Sequence, residues 1–444
     1  MTIWQTVARN ALHLLGALAL VVVALAVGHF LPTHQVVIVA IVVASVVFTL
    51  GLTDPALMCL ICTPLFLLVS RVGGPDTSLT ASDLALGLCV APAFVAGARP
   101  LTPPMRSLLW LSALYQAAAS LTVVANPYPA NLVEWFHSWM LVSGALLVGW
   151  VLGRHGRAAM AAKLLLGTGV LLALFVIGSA LVNYSRGDFG PIYTGAPLPM
   201  NKNFSGPVLS MLAVVAYARP PWLKLPESAA IACFWLYVAA IGASQSRQAV
   251  VGLAVGLLIL VFRRGQHVRR SQLIVLAAVP AVAVLSVLVR DQLTSTNEFN
   301  SANQRLHWYQ GALDVWVANP WFGAGLRWWY TDRYPKFQPP NAELEVLSSV
   351  GALGLICFLI WVGGTLRTVT RMNPLFGTVA LAVLANRFAA TQFDIFWVSP
   401  LSSVPFLIAG IALGAEANAE QRLLPNTEGP ERAAADRRTV PAGA

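Results

Sequence analysis

Two glutamates, Glu343 and Glu345, stand at the head of a long apolar stretch, NAELEVLSSVGALGLICFLIWVGG. Carboxylates in such a place either complement the positive end of a helix dipole, worth roughly 0.3–1 kcal/mol each, or work beside a substrate. In the second role a glutamate whose pKa is lifted toward neutrality by burial can accept a proton. Only one of the pair can enter a given cavity, because helical residues two apart point about 200° away from each other. Glu345 shares a stripe with Asn341, Ser348, Ser349 and Ala352, a pattern suited to contact between helices, and Asn341 itself suits an N-cap. Cations form the second set. Arg247 begins an apolar run at a loop boundary, Arg186 and Lys202 precede another run, and Arg305 and His307 share a longer loop. Helix-end arginines grip anions or snorkel to lipid headgroups, and the spacing leaves both open. Arg387 is different: it lies inside an apolar run, at roughly 2.5–3.5 kcal/mol on insertion scales, so it needs a partner. Asp394, seven residues on and on a similar helical face, offers an ion pair, with contact to a substrate as the alternative.

The elements that must position these groups follow from composition. With 57% hydrophobic residues, 10% charged residues and a mean hydropathy of +0.70 over 444 residues, the chain has far more apolar surface than an aqueous core could bury. It reads as an all-α polytopic membrane protein. Apolar runs fall near 11–30, 36–52, 56–70, 81–98, 107–125, 132–152, 164–182, 205–218, 228–243, 249–262, 272–289, 346–366, 373–391 and 397–415. They predict about fourteen helices, or about twelve if the short runs holding Pro64 and Pro207 are re-entrant. The first run is read as a retained span and not a signal peptide. Residues 1–415 form one transmembrane domain and 416–444, polar and rich in Ala and Pro, a disordered cytoplasmic tail. Alternate loops carry Arg99, Arg106, Arg154, Arg157, Lys163, Arg219, Lys224 and the cluster RRGQHVRR, which places both termini in the cytoplasm. The formal charge of +10 is therefore about orientation, with membrane lipids and not nucleic acid as the partner. Two outward loops remain, 183–204 and 290–345, the larger beginning with a helix near 301–318. Its aromatics, in WYQGALDVW and RWWYTDRY, suit anchoring at the outer leaflet or stacking on sugar rings. All five cysteines lie in apolar runs, and the Cys59-x-x-Cys62 pair has no second pair or histidine cluster beside it, so both read as packing residues.

Four segments in order, GAPLPMNKNFSGPVLSML, SQSRQAVVGL, NQRLHWYQGALDVWVANPWFGAGLRWW and PNAELEVLSSVGALGL, resemble the O-antigen ligase and polymerase family of membrane glycosyltransferases across roughly residues 180–365. The resemblance implies transfer of a saccharide from a polyprenyl phosphate or diphosphate carrier to an acceptor hydroxyl on a glycan or glycolipid, without a bound metal or other cofactor. It places the reaction on the external face of the bacterial inner membrane. Arginine forks suit the departing phosphate, so Arg247, Arg305, Arg186 and Lys202 become its expected holders, with Asn341 and Arg387 as further substrate contacts. One departure stands out. Where the family has a histidine at the helix start, this chain has Pro340. Glu343 lies about 60° from that position around the axis and is the favoured replacement, with Glu345 and His307 as rivals. A lipid-linked oligosaccharide flippase, or a member that binds the carrier without catalysis, would share many of these features. Clustering of polar groups on one side disfavours the flippase.

Overall fold

The computed structural model describes residues 45–46, 49, 51, 53–71, 79–97, 99–195, 198–263 and 301–423. The runs expected at 11–30 and 272–289, most of that at 36–52, and the tail beyond residue 423 lie outside them. Among the described residues the structure is helical apart from two isolated bridges, Arg71 with Thr80 and Thr194 with Met200. The protein is an all-α polytopic membrane protein. In chain order the helices are α1 (Pro55–Cys62), α2 (Ala81–Ala96), α3 (Pro103–Ala125), α4 (Pro129–Trp139), α5 (Ala145–Arg154), α6 (Ala158–Ser185), α7 (Lys202–Ala218), α8 (Glu227–Ser244), α9 (Arg247–Phe262), α10 (Ser301–Ala318), α11 (Ala342–Thr370), α12 (Pro374–Ala390) and α13 (Ser403–Leu423). A π-helical segment, Met140–Gly144, joins α4 to α5 into one span of 26 residues. That span, α3, α6, α8 and α11 are long and apolar enough to cross a bilayer.

Helix starts are written locally. Asp54 caps α1, Thr80 and Asp83 form a capping box on α2, and Asn201, Asn341 and Asn373 cap α7, α11 and α12. The centre of the bundle holds α7 and α13, both buried on nearly every face. Small residues bring α13 against α5: a Cβ on Gly149 would lie 2.2 Å from the Leu407 carbonyl oxygen, and one on Gly410 2.3 Å from that of Leu146. An aromatic column ties α3, α11 and the segment after α12 together, with Tyr115 stacked on Trp397 at 5.3 Å and on Trp361 at 5.8 Å. α13 also runs past residue 415, where the tail was expected to begin. AEANAEQRL is rich in strong helix formers and has no Gly or Pro, and Glu416 accepts the Asn373 N–H at 2.9 Å.

α11 is not one continuous helix. Gly351, at φ 78° and ψ −173°, breaks it, a conformation open only to glycine. The break would strand the carbonyls of Ser348 and Ser349, and the loop after α10 satisfies them. Ala324 N–H donates to Ser348 O at 2.9 Å, Gly325 N–H to Ser349 O at 3.0 Å, and Ala352 N–H to Pro320 O at 2.8 Å. Contact is so close that a Cβ on Gly351 would sit 2.3 Å from the Trp321 carbonyl carbon. At 29 residues α11 would be about 43 Å long if unbroken, against a hydrocarbon thickness of about 30 Å.

Candidate functional site

α7 and α9 begin side by side. The Gln248 side-chain amide, at the start of α9, donates to the Asn203 carbonyl at the start of α7 at 3.1 Å and to the Asp394 carboxylate at 2.6 Å. Gly206 permits the approach, since a Cβ there would meet the Ser246 side chain at 2.4 Å. Two helix N-termini therefore lie side by side, each with the partial positive charge of its helix end. Lys202 and Arg247 are the first residues of these helices, and Arg305 of α10 is near enough to act electrostatically on both. Lys202 lies outside the apolar part of α7, which starts at Ser205. Its ammonium pKa is lowered, first by burial and then by the positive charges of Arg247 and Arg305. Asp394 is the nearby counter-charge. Burial raises its pKa, opposed by Arg387, the Gln248 hydrogen bond and Arg305.

The segment after α12 links this cationic mouth to α11. Ala342 N–H donates to Thr391 O at 3.0 Å, Asn341 Nδ2 to Gln392 O at 3.3 Å, and Gln392 Nε2 to Glu343 Oε1 at 2.7 Å. The other Glu343 oxygen is buried with no hydrogen-bond partner among the described residues, as are Ser246 Oγ and Gln248 Oε1. Glu345 points elsewhere, as the helical angle requires. It is 2% exposed, and its two oxygens accept from Gln338 Nε2 at 2.8 Å and from Phe396 N–H at 3.3 Å.

Other expected residues fall away from this arrangement. Asn341 caps α11 through Leu344 N–H at 2.9 Å and holds Gln392 with its amide, so both ends of its side chain are taken up in structure. Arg186 is exposed at the C-cap of α6, and His307 is exposed on α10, two residues and about 200° from Arg305. Arg387 is 1% exposed and donates to the carbonyls of Ile395 at 2.7 Å and Phe396 at 2.9 Å. The direct ion pair expected with Asp394 does not form. α12 stops at Ala390, so the two residues no longer share a helical face, and Gln248 takes the carboxylate instead.

Sequence reasoning missed several partners. Gln248 adjoins Arg247 and Gln392 adjoins the α12 end, but nothing local tells either amide which carboxylate it will meet. Tyr309, one turn after Arg305, donates its hydroxyl to the carbonyl of Pro340 at 3.4 Å. A second ionic cluster, buried apart from the first, was legible only as a Glu and a His three apart in an apolar run. Each ring nitrogen of His137 faces a carboxylate, Asp83 at 3.0 Å and Glu134 at 3.3 Å, and Glu134 pairs with Arg327 of the large loop.

Residues 232–359 match the family model described as O-antigen ligase. Over this segment the chain is similar to the O-antigen ligase family. Arg247, Arg305, His307, Asn341, Glu343 and Glu345 fall inside that O-antigen ligase segment, and Lys202, Arg387 and Asp394 outside it. No curated protein matches the chain at the sequence level. Among the described residues no group of three or more His, Cys, Asp or Glu side chains is arranged to hold a metal ion.

Proposed function

We propose that the protein is a glycosyltransferase of the O-antigen ligase and polymerase type. It moves a saccharide from a polyprenyl phosphate or diphosphate carrier to a hydroxyl of a glycan or glycolipid at the external face of the bacterial inner membrane. The observation that carries this reading is the meeting of Lys202, Arg247 and Arg305 at two adjoining helix N-termini, beside a carboxylate held by the same segment. Such a mouth suits a multiply charged oxyanion, since N–H groups, dipoles and guanidinium forks all favour it.

In the reaction the anomeric C–O bond to phosphate breaks and its electron pair stays on the phosphate oxygen. The acceptor oxygen forms the new bond to the anomeric carbon, and its proton passes to a base. Lys202, Arg247 and Arg305 stabilise the charge that grows on the leaving carrier. Glu343 takes the proton: it is half-buried, one oxygen is fixed by Gln392 and the other is unpartnered among the described residues. Glu345 is sealed with both oxygens engaged, and His307 lies on the outer side of α10.

The test uses purified protein in liposomes with the lipid-linked saccharide extracted from cells deleted for this chain. Free carrier lipid together with a lengthened acceptor is the expected result. Binding without product would make the protein a carrier-lipid scaffold, and movement of the saccharide across the vesicle wall without transfer would make it a transporter.

A further inference from the structure

We infer that Gln392 is a positioning residue for proton transfer, holding one oxygen of Glu343 and so fixing the orientation of its carboxylate. This rests on the role given to Glu343 above. Gln392 is itself exposed, and an exposed amide alone would be weak evidence. Its surroundings argue otherwise. The Gln392 carbonyl accepts from Asn341 Nδ2 at 3.3 Å, the preceding Thr391 carbonyl accepts from Ala342 N–H at 3.0 Å, and two residues later Asp394 is fixed to Gln248 at 2.6 Å. The backbone that carries the amide is thus pinned on both sides, to the cap of the helix bearing Glu343 and to the helix that starts at Arg247. From that fixed base Nε2 reaches Glu343 Oε1 at 2.7 Å, the short distance of a bond to a charged acceptor. A carboxylate with one oxygen tied cannot swing, so the buried Oε2 has a set direction.

Gln392→Glu removes the donor at nearly constant size, and Gln392→Met does so without adding charge. Both are expected to lower kcat roughly ten-fold, the usual worth of a hydrogen bond to a charged group, with KM for the lipid-linked saccharide within about two-fold of wild type. Gln392→Lys restores a donor and keeps kcat within about three-fold of wild type. A role in packing alone would not be rescued by the lysine. If Glu343→Gln is inactive while Gln392→Glu and Gln392→Met keep wild-type kcat, this inference is overturned and the role of Glu343 stands. If Glu343→Gln turns over at the wild-type rate, the role of Glu343 falls first.

Discussion

Gln248 and Asp394, 146 positions apart in the chain, share a hydrogen bond of 2.6 Å. It joins the start of α9 to the segment after α12, and the same Gln248 amide also holds the start of α7. Asp394→Asn can turn its own amide toward Gln248 Oε1, whereas Gln248→Ala leaves a buried carboxylate without that donor. Gln248→Ala is therefore expected to be the more harmful, losing about 1–3 kcal/mol of stability and weakening donor binding. Thermal unfolding of the detergent-solubilised variants, set beside KM, checks the ranking.

Arg247→Lys keeps the charge and loses the planar fork, while Arg305→Ala removes a charge altogether. Each is expected to lower turnover of the lipid-linked saccharide by roughly 10²–10³. Wild-type product formation by Arg247→Lys in proteoliposomes would mean that the fork has no part in holding the leaving group.

The Lys202 pKa is depressed below the ordinary 10.5, first by burial and then by Arg247 and Arg305. Below the depressed value Lys202 is charged with or without a bound anion. Between it and 10.5 the free protein holds a neutral amine that an anion recharges. Binding of inorganic pyrophosphate is therefore expected to take up protons in that alkaline window and to weaken as pH rises through it. Calorimetry in buffers of different ionisation enthalpy measures the uptake, which Lys202→Met should abolish.

Gly351→Ala sets a side chain at φ 78° against the Trp321 backbone at 2.3 Å. The variant is expected to lose roughly 3 kcal/mol or more, read as a lower unfolding midpoint and poor yield. An undiminished midpoint would show that α11 and the loop separate readily.

Arg327→Ala leaves Glu134, 4% exposed at its side chain, to His137 alone. Losing one partner of a buried pair is expected to cost about 3–5 kcal/mol, and Arg327→Ala with Glu134→Gln should recover part of it. Equal unfolding midpoints for the single and double variants would show that the charge of Glu134 is not the source of the loss.

Much of this architecture can be read from the chain. Apolar runs of this length locate the helices because a helix satisfies its own backbone inside lipid, where only a closed β-barrel of shorter alternating strands could do the same, and Asn341 announces the start of α11 because a cap needs only its own first turn. The 200° between Glu343 and Glu345 separates them before any contact is known. What stays hidden is set by partners distant in sequence. Arg387 and Asp394 look like a pair only while the helix is assumed to continue past Ala390. Gln392 and Gln248 look like ordinary polar residues until folding delivers a carboxylate to each. Gly351 looks like one small residue among many in an apolar run, and its role follows from the approach of Trp321, some thirty positions earlier.

Because α11 is interrupted at Gly351, the stretch Ala342–Val350 is a short rod of its own, steadied by the 320–325 loop and by Thr391–Phe396. Its placement is therefore set by those two segments more than by the longer piece that follows, so a change at position 340 or 343 bears on the short rod and leaves the packing of residues 352–370 as it was.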